Sequence, residues 1–430
     1  LKDKLITREE ALELEVKNDP EFAELEVDNV RNYPLGEEFA HVIGYVGQIS
    51  EEQLKKREYK NYSPGDRIGQ AGIEAQYESL LRGIDGGEII EVDSKGKKLR
   101  TLRLNQPVPG QNVYLTIDGS LQERIYQLME DGLSKVNSCC GAVVASDPSS
   151  GQILALLSFP SFDPNLFTKN QDEVKIADIF SSPDSPILNR AISGSSPPGS
   201  TFKIVSALAA LSSGKVSADT IIEDTGVIYL GTFKFSNWYF NQYGKTEGPV
   251  NLIKAIKRSN DTYFYQVGQI IGEKYLGDFA KKLLLNNKLG IDLPGEGTGL
   301  IPDEAWKKRE IGEVWYPGDT LHMAIGQGYV LTPPLQVLSF TSYIANGGKL
   351  YKPQILQSLF KPKILLSNLT EHKWIKVVKQ GLEEVPKQGG TAWPFFNFPI
   401  NTAGKTGTAE YGDPKGKTHA WYTSYAPAND

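Results

Sequence analysis

Hydrophobic and polar positions follow different rhythms in different parts of this chain. Over the first 110 residues apolar side chains are scattered among charges, and short pieces such as Glu24-Leu25-Glu26-Val27 alternate as a half-buried strand does. Glycines at 44, 47, 65, 69, 72, 83, 86 and 87 punctuate this region, and Ile73, Tyr77, Leu80 and Leu81 fall at helical spacing. Pro107-Val-Pro-Gly110 then interrupts any regular element and sets a boundary between a domain at 1–110 and one at 111–430. Beyond it, Val113–Ile117 reads as a strand, with Asp118 and Ser120 as candidate N-caps for a helix whose apolar face is Leu121, Ile125, Leu128, Met129 and Leu133. Two β-type runs, 142–146 and 153–158, flank the turn residues Asp147–Gly151 and predict a hairpin. Helical patterning then dominates over 203–214, 249–258 and 262–285, and β signals return near 400–426. Strands at both ends with helices between predict a multidomain α+β protein whose catalytic-size domain joins distant segments in one sheet.

Composition narrows the class without naming a function. The 430 residues are 40% apolar and 23% charged, which suits a globular core and excludes a disordered or collagen-like chain. A net charge of −6 gives no electrostatic footprint for nucleic acid. No run of about 18 apolar residues is present, so neither a transmembrane helix nor a signal peptide is expected within these residues. The chain opens on Leu1 rather than methionine and stops at Asp430 after an apolar stretch, so both ends read as cut. The two cysteines, Cys139 and Cys140, are adjacent; strand geometry would point them to opposite faces, and they read as two small buried hydrophobes, not as a disulfide.

Candidate chemistry concentrates in three short motifs. In Ser196-Pro-Pro-Gly-Ser200-Thr-Phe-Lys203 the prolines and glycine stop regular structure, and Ser200 then opens an apolar helix. A serine there meets the positive helix end, and Lys203, on the same face, can act as its base once partly desolvated. Alone the spacing says little: Ser94–Lys97 and Ser212–Lys215 match it too, and a capping serine with a surface lysine explains such matches. Lys405-Thr406-Gly407-Thr408 is the single K-T-G of the chain, in a small-residue strand where glycine admits a substrate backbone and the two threonines share a face. Ser259-Asn260-Asp261 lies between two helical stretches, and its hydroxyl can relay a proton between two lysines. The bland alternatives are an edge strand with a guarding lysine and a helix end followed by an N-cap. The four histidines form no catalytic set, and no G-x-S-x-G elbow is present.

In the order S-x-x-K, S-x-D, K-T-G, these motifs resemble the set of penicillin-binding proteins and β-lactamases. The resemblance covers nearly the whole chain. Arg31-Asn-Tyr-Pro34, His41–Gly47 and Gly69–Glu78 resemble the non-catalytic pedestal of class B penicillin-binding proteins. Leu188–Ala191, Trp315–Asp319 and Ala324–Tyr329 resemble stretches around their transpeptidase site, and Pro-Pro-Gly-Ser, Asp261 and Trp-Tyr-Pro-Gly-Asp point to the penicillin-binding protein 2 (elongation) branch. The resemblance implies a transpeptidase domain with an antiparallel sheet flanked by helices, on a β-rich pedestal. It implies D,D-transpeptidation in cell-wall synthesis: Lys203 activates Ser200 against a stem peptide's D-Ala-D-Ala, Ser259 passes a proton to the leaving D-alanine, and Lys405, Thr406 and Thr408 hold its carboxylate. Gly407 belongs to the same binding strand, and Asp261 stands where many relatives have asparagine. Implied partners are peptidoglycan stems, β-lactams as covalent inhibitors, a SEDS-type (RodA-like) glycan polymerase and elongation scaffold proteins, with a periplasmic location and a membrane anchor outside these residues. No cofactor is implied. Some relatives hold a metal near the middle motif, but neither Cys nor His lies by Asn260, so none is expected. A D,D-carboxypeptidase, a β-lactamase or a β-lactam sensor keeps the same three motifs, and transfer to an amine acceptor separates them.

Overall fold

The computed structural model describes residues 8–17, 30–95, 98–168, 172–357, 361–412 and 416–428. The strand expected at Glu24–Val27 lies outside them. The chain divides into two compact units: 1–114 with 122–141 and 157–188, and 115–121 with 142–156 and 189–430.

The first unit carries more helix than strand among its described residues, against the expectation of a β-rich pedestal. The helix Gly36–Ile43 and the antiparallel pair Val46–Gln48 and Arg67–Gly69 meet where two glycines interlock. A Cβ on Gly44 would lie 1.8 Å from the Ala71 carbonyl oxygen, and one on Gly72 would lie 2.4 Å from the Gly44 nitrogen, so only glycine permits this approach. Buried Glu74 accepts from Arg31 at 2.8 Å and from Tyr33 at 3.2 Å, which ties the Arg31–Pro34 segment to this crossing. The predicted helical stretch at Gly72–Leu81 forms as two short helices, Gly72–Gln76 and Glu78–Leu81, broken at Tyr77. A long hairpin, Gly87–Val92 with Lys98–Asn105, carries exposed residues of both kinds along nearly its whole length.

The helix Gly119–Lys135 forms where expected and Asp118 caps it, accepting from the Leu121 N–H at 3.0 Å. Its packed stripe is Gln122, Ile125, Tyr126, Met129 and Leu133, whereas Leu121 and Leu128 are exposed. Gln122 reaches the Glu38 carbonyl and Tyr126 packs at a tilt against Phe159, contacts that turn the helix away from its most apolar stripe. The cysteines correct the sequence reading: Cys139 and Cys140 are bonded to each other, and Cys139 is exposed. They sit in the irregular stretch between this helix and the strand starting at Gly141, so the alternation of a strand does not govern them.

In the second unit the helix Lys203–Ser212 is buried from Lys203 through Leu211, as its all-round apolar sequence demands. The helices Asp261–Ile271, Glu273–Lys282 and His372–Glu384 pack on it. The hairpin Gly141–Ser146 and Ile153–Phe159 forms as predicted, as does the antiparallel pair Ala403–Glu410 and Thr418–Tyr425. Among the described residues these remain separate two-stranded pairs, not one sheet. Next to Ile153 the hairpin's free edge is taken by 351–356, through the Gln152–Gln354 bridge. The expected strand Val113–Ile117 reduces to one bridge, Leu115–Leu356. Thr116 and Asp118 bond to Ile355 and Leu154 in turn, so this segment crosses between partners without laddering along either.

Candidate active site

Ser200 does not begin the α-helix. It sits in a 3-10 turn, Gly199–Phe202, and Lys203 is the first residue of the helix proper. The Lys203 N–H donates back to the Ser200 and Thr201 carbonyls. With three residues per turn, positions i and i+3 eclipse, so this turn stacks Lys203 over Ser200 more directly than an α-helix would. Gly199 makes the turn possible: its φ is +53°, its N–H donates to the Gly326 carbonyl at 2.9 Å, and a Cβ there would stand 2.7 Å from the Thr408 oxygen. The Ser200 turn therefore lies directly against the K-T-G strand. The Trp421 indole of the neighbouring strand donates to the Pro197 carbonyl at 2.9 Å and fastens the other end of the segment.

Ser259 ends the helix Leu252–Arg258 in a left-handed conformation, φ 52° and ψ 40°, and Asn260 immediately caps the next helix by accepting from the Tyr263 N–H. A non-glycine residue in that region is held there by its surroundings. Two buried lysines converge on it. Lys203 Nζ donates to the Ser259 carbonyl at 2.8 Å, lies 3.3 Å from its Oγ, and pairs with Asp261 Oδ1 at 2.6 Å. Lys405 Nζ donates to Ser259 Oγ at 2.8 Å and to the Thr406 carbonyl at 2.9 Å. Both lysines are fully buried.

Strand alternation sorts the K-T-G residues. Ala403, Lys405, Gly407 and Ala409 form the buried face, while Thr406 and Thr408 share the more open one. Lys405 thus reaches Ser259 and not the face of the two threonines. Thr406 Oγ1 is 2.7 Å from Thr391 Oγ1, and Thr408 is exposed. Gly407 is held to glycine size by Pro198 O, Thr201 Cγ2 and Trp421 Cβ, each 3.1 Å from a Cβ built there.

Burial favours the uncharged amine on both lysines. Lys203 is pushed below the ordinary lysine value by burial, and Asp261 beside it pulls partly back. Lys405 falls well below, because burial and the Lys203 charge act together and only Asp261 opposes them. The site therefore holds two buried lysines of depressed proton affinity, one of them paired with Asp261, and a hydroxyl touching both.

Several residues that shape this site carry no motif. Asp224 lies beneath the Ser259–Asp261 loop and accepts from Asn237, Asn260 and Thr262. Only its Asp224-Thr-Gly226 turn is a local signal, and the partners come from distant segments. With its lone pairs met by N–H and O–H donors, this carboxylate is engaged as a hydrogen-bond centre and does not fit a metal site. Lys307, also buried, pairs with Asp319 at 2.6 Å and lies over the Tyr316 ring, which sets the Trp315–Asp319 loop. His322 is exposed and touches the Phe235 ring. A cavity of about 480 Å³ in the first unit, lined by Tyr45, Gln70, Phe167 and Phe180 among others, contains no motif residue.

The penicillin binding protein transpeptidase domain matches residues 141–430, and the penicillin-binding protein dimerisation domain matches residues 1–115. The chain belongs to the penicillin-binding protein transpeptidase family. It is 36% identical over 398 residues to the peptidoglycan D,D-transpeptidase MrdA of Acinetobacter baumannii, covering 90% of this chain and 57% of that protein. Against MrdA of Escherichia coli it is 34% identical, covering 88% of this chain and 61% of that one. The chain thus spans about three fifths of the length of these curated relatives. The solved complex between PBP2 and MreC from Helicobacter pylori superposes with a TM-score of 0.82 at 32% identity, over 93% of this chain and 73% of that one. Pseudomonas aeruginosa PBP2 in complex with WCK 5153 gives a TM-score of 0.77 at 35% identity, over 94% and 86%.

Proposed function

We propose that this chain is a serine D,D-transpeptidase of peptidoglycan synthesis, acting through an acyl-enzyme on Ser200. The observation that carries the reading is the convergence of Lys203 and Lys405 on Ser259 Oγ, which joins three motifs far apart in sequence into one proton path. In the active form Lys203 is neutral and takes the Ser200 proton as Oγ attacks the carbonyl of a terminal D-Ala-D-Ala. The new Ser200 Oγ–C bond forms as the C–N bond to D-alanine breaks. Ser259 hands a proton to the departing amine and recovers one from the lysines on either side. Backbone N–H groups of Ser200 and Thr408, on segments that pack together, take the oxyanion. Thr406 and Thr408, on the open face of their strand, bind the terminal carboxylate, and Lys405 supports them from behind while fixing Ser259. An amine from a second stem then receives the acyl group.

The family match at residues 1–115 supports a non-catalytic role for the first unit as a pedestal. The relatives also support a location on the outer side of the cytoplasmic membrane, although no described helix is long and apolar enough to cross one. Scaffold and polymerase partners fit the same reading, since one similar structure is a complex with MreC and another concerns a peptidoglycan synthase complex, with a TM-score of 0.84 at 34% identity over 97% of this chain and 74% of that one. The test is transfer: a stem-peptide donor ending in D-Ala-D-Ala and an amine acceptor should give free D-alanine and a cross-linked product. D-alanine release with water as the only acceptor would identify a carboxypeptidase, and a single equivalent of D-alanine with a stable acyl adduct and no transfer a sensor.

A further inference from the structure

Beneath the Ser259–Asp261 loop lies a carboxylate that the mechanism does not use. Asp224 is 2% exposed, and five donors from four separate segments converge on it. Oδ1 accepts from the Gly226 N–H at 2.8 Å and the Thr262 hydroxyl at 2.6 Å. Oδ2 accepts from Asn237 Nδ2 at 3.0 Å, Asn260 Nδ2 at 2.9 Å and the Glu247 N–H at 2.9 Å. Burial alone raises the proton affinity of such a group, but these donors outweigh it and hold Asp224 below the usual aspartate value. The carboxylate therefore stays charged and keeps every partner oriented.

The consequence lies one bond further on. Because the amide nitrogens of Asn237 and Asn260 face Asp224, their oxygens must face away. Asn237 Oδ1 accepts from the Asp261 N–H at 3.2 Å, and the next residue, Trp238, donates its N–H to Asp261 Oδ2 at 3.0 Å. Asn260 Oδ1 accepts from the Tyr263 N–H at 2.8 Å and so starts the following helix. The two residues that follow Ser259, Asn260 and Asp261, are thereby oriented from Asp224. Asp261 is left with Oδ1 free to pair with Lys203.

We propose that Asp224 is a positioning residue for catalysis: by orienting Asn237 and Asn260 it holds Ser259 in its left-handed turn and presents Asp261 to Lys203. This rests on the acyl-enzyme reading above. The charged groups facing Lys203 are Asp261 and Lys405, and the other acid near the hub, Glu247, is turned to Arg258 at 2.6 Å. Asp224 therefore acts on Lys203 only through the loop. Replacing Asp224 by asparagine keeps its shape but sets an N–H₂ against donors. The loop then loses register, Asp261 slackens its hold on Lys203, and Lys203 sheds its proton at lower pH.

The experiment measures acylation of the purified chain by a fluorescent penicillin across pH, for wild type, Asp224→Asn and Asn237→Ala, together with thermal stability. Both variants should acylate roughly tenfold slower or worse, with the ascending limb of the pH–rate profile moved to lower pH. Asn237→Ala carries the test if Asp224→Asn does not fold. Wild-type acylation in either variant, or slower acylation with an unmoved limb and only a lowered melting temperature, would overturn the positioning role. Labelling that persists in Ser200→Ala is a different failure, that of the acyl-enzyme reading itself.

Discussion

In the proposed mechanism Lys203 is the base, and Asp261 is the neighbour that raises its proton affinity. Its carboxylate lies 2.6 Å from Lys203 and raises an ammonium proton affinity that burial has driven down. Lys203 works only when neutral, so acylation should climb as pH rises through its lowered pKa. Replacing Asp261 by asparagine removes the raising influence while keeping a side chain that can accept from the Trp238 N–H. The ascending limb should then move to lower pH. A limb that stays put or moves to higher pH would contradict this electrostatic account. Lys405 gives a second test. As the sole donor on its strand that reaches Ser259, Lys405→Ala should slow acylation on the order of a hundredfold, with the loss in turnover and not in inhibitor affinity; stopped-flow acylation kinetics separate the two.

At the scale of elements, the site depends on one turn and one strand lying back to back. Gly199 holds the turn at φ +53° against the Thr408 carbonyl. Alanine there costs about 1–2 kcal/mol for the left-handed backbone, and its Cβ must also push the K-T-G strand away. Gly199→Ala should therefore lower both the melting temperature and the acylation rate, whereas wild-type kinetics would mean that the strand can yield. Much of this was legible in the sequence. The Pro-Pro-Gly before Ser200, the single K-T-G and the small-residue strand rhythm all follow from local constraints, and each motif stands where the spacing placed it. The 3-10 turn was not legible, because its choice over an α-helical start depends on Gly326 and Thr408, which are distant in sequence. Neither was Asp224, whose five donors come from residues 226 to 262 and reveal nothing until the chain has folded. Lys405 carried a local signal in the single K-T-G, but its partner was not legible: strand alternation sends its side chain to Ser259, on the face opposite Thr406 and Thr408.

At the scale of the molecule, each of the two units has a core of its own, and the three motifs all lie in the second. The cysteine pair belongs to the first unit, far in sequence from any motif, and its bonding was hidden because strand geometry was assumed at two residues that precede the strand beginning at Gly141. If the first unit is a pedestal, damage to it should spare the chemistry. Glu74→Ala removes a buried acceptor shared by Arg31 and Tyr33 and should cost about 1–3 kcal/mol of that unit's stability. Calorimetry should show the loss while penicillin acylation stays at the wild-type rate; a parallel fall in acylation would contradict independent units. The central claim, that Ser200 is the nucleophile, is tested most directly by incubating the chain with labelled penicillin and locating the adduct by peptide mass. The account predicts a single stable adduct on the peptide containing Ser200 and none in Ser200→Ala. An adduct on any other residue, or equal labelling of the Ser200→Ala variant, would contradict it.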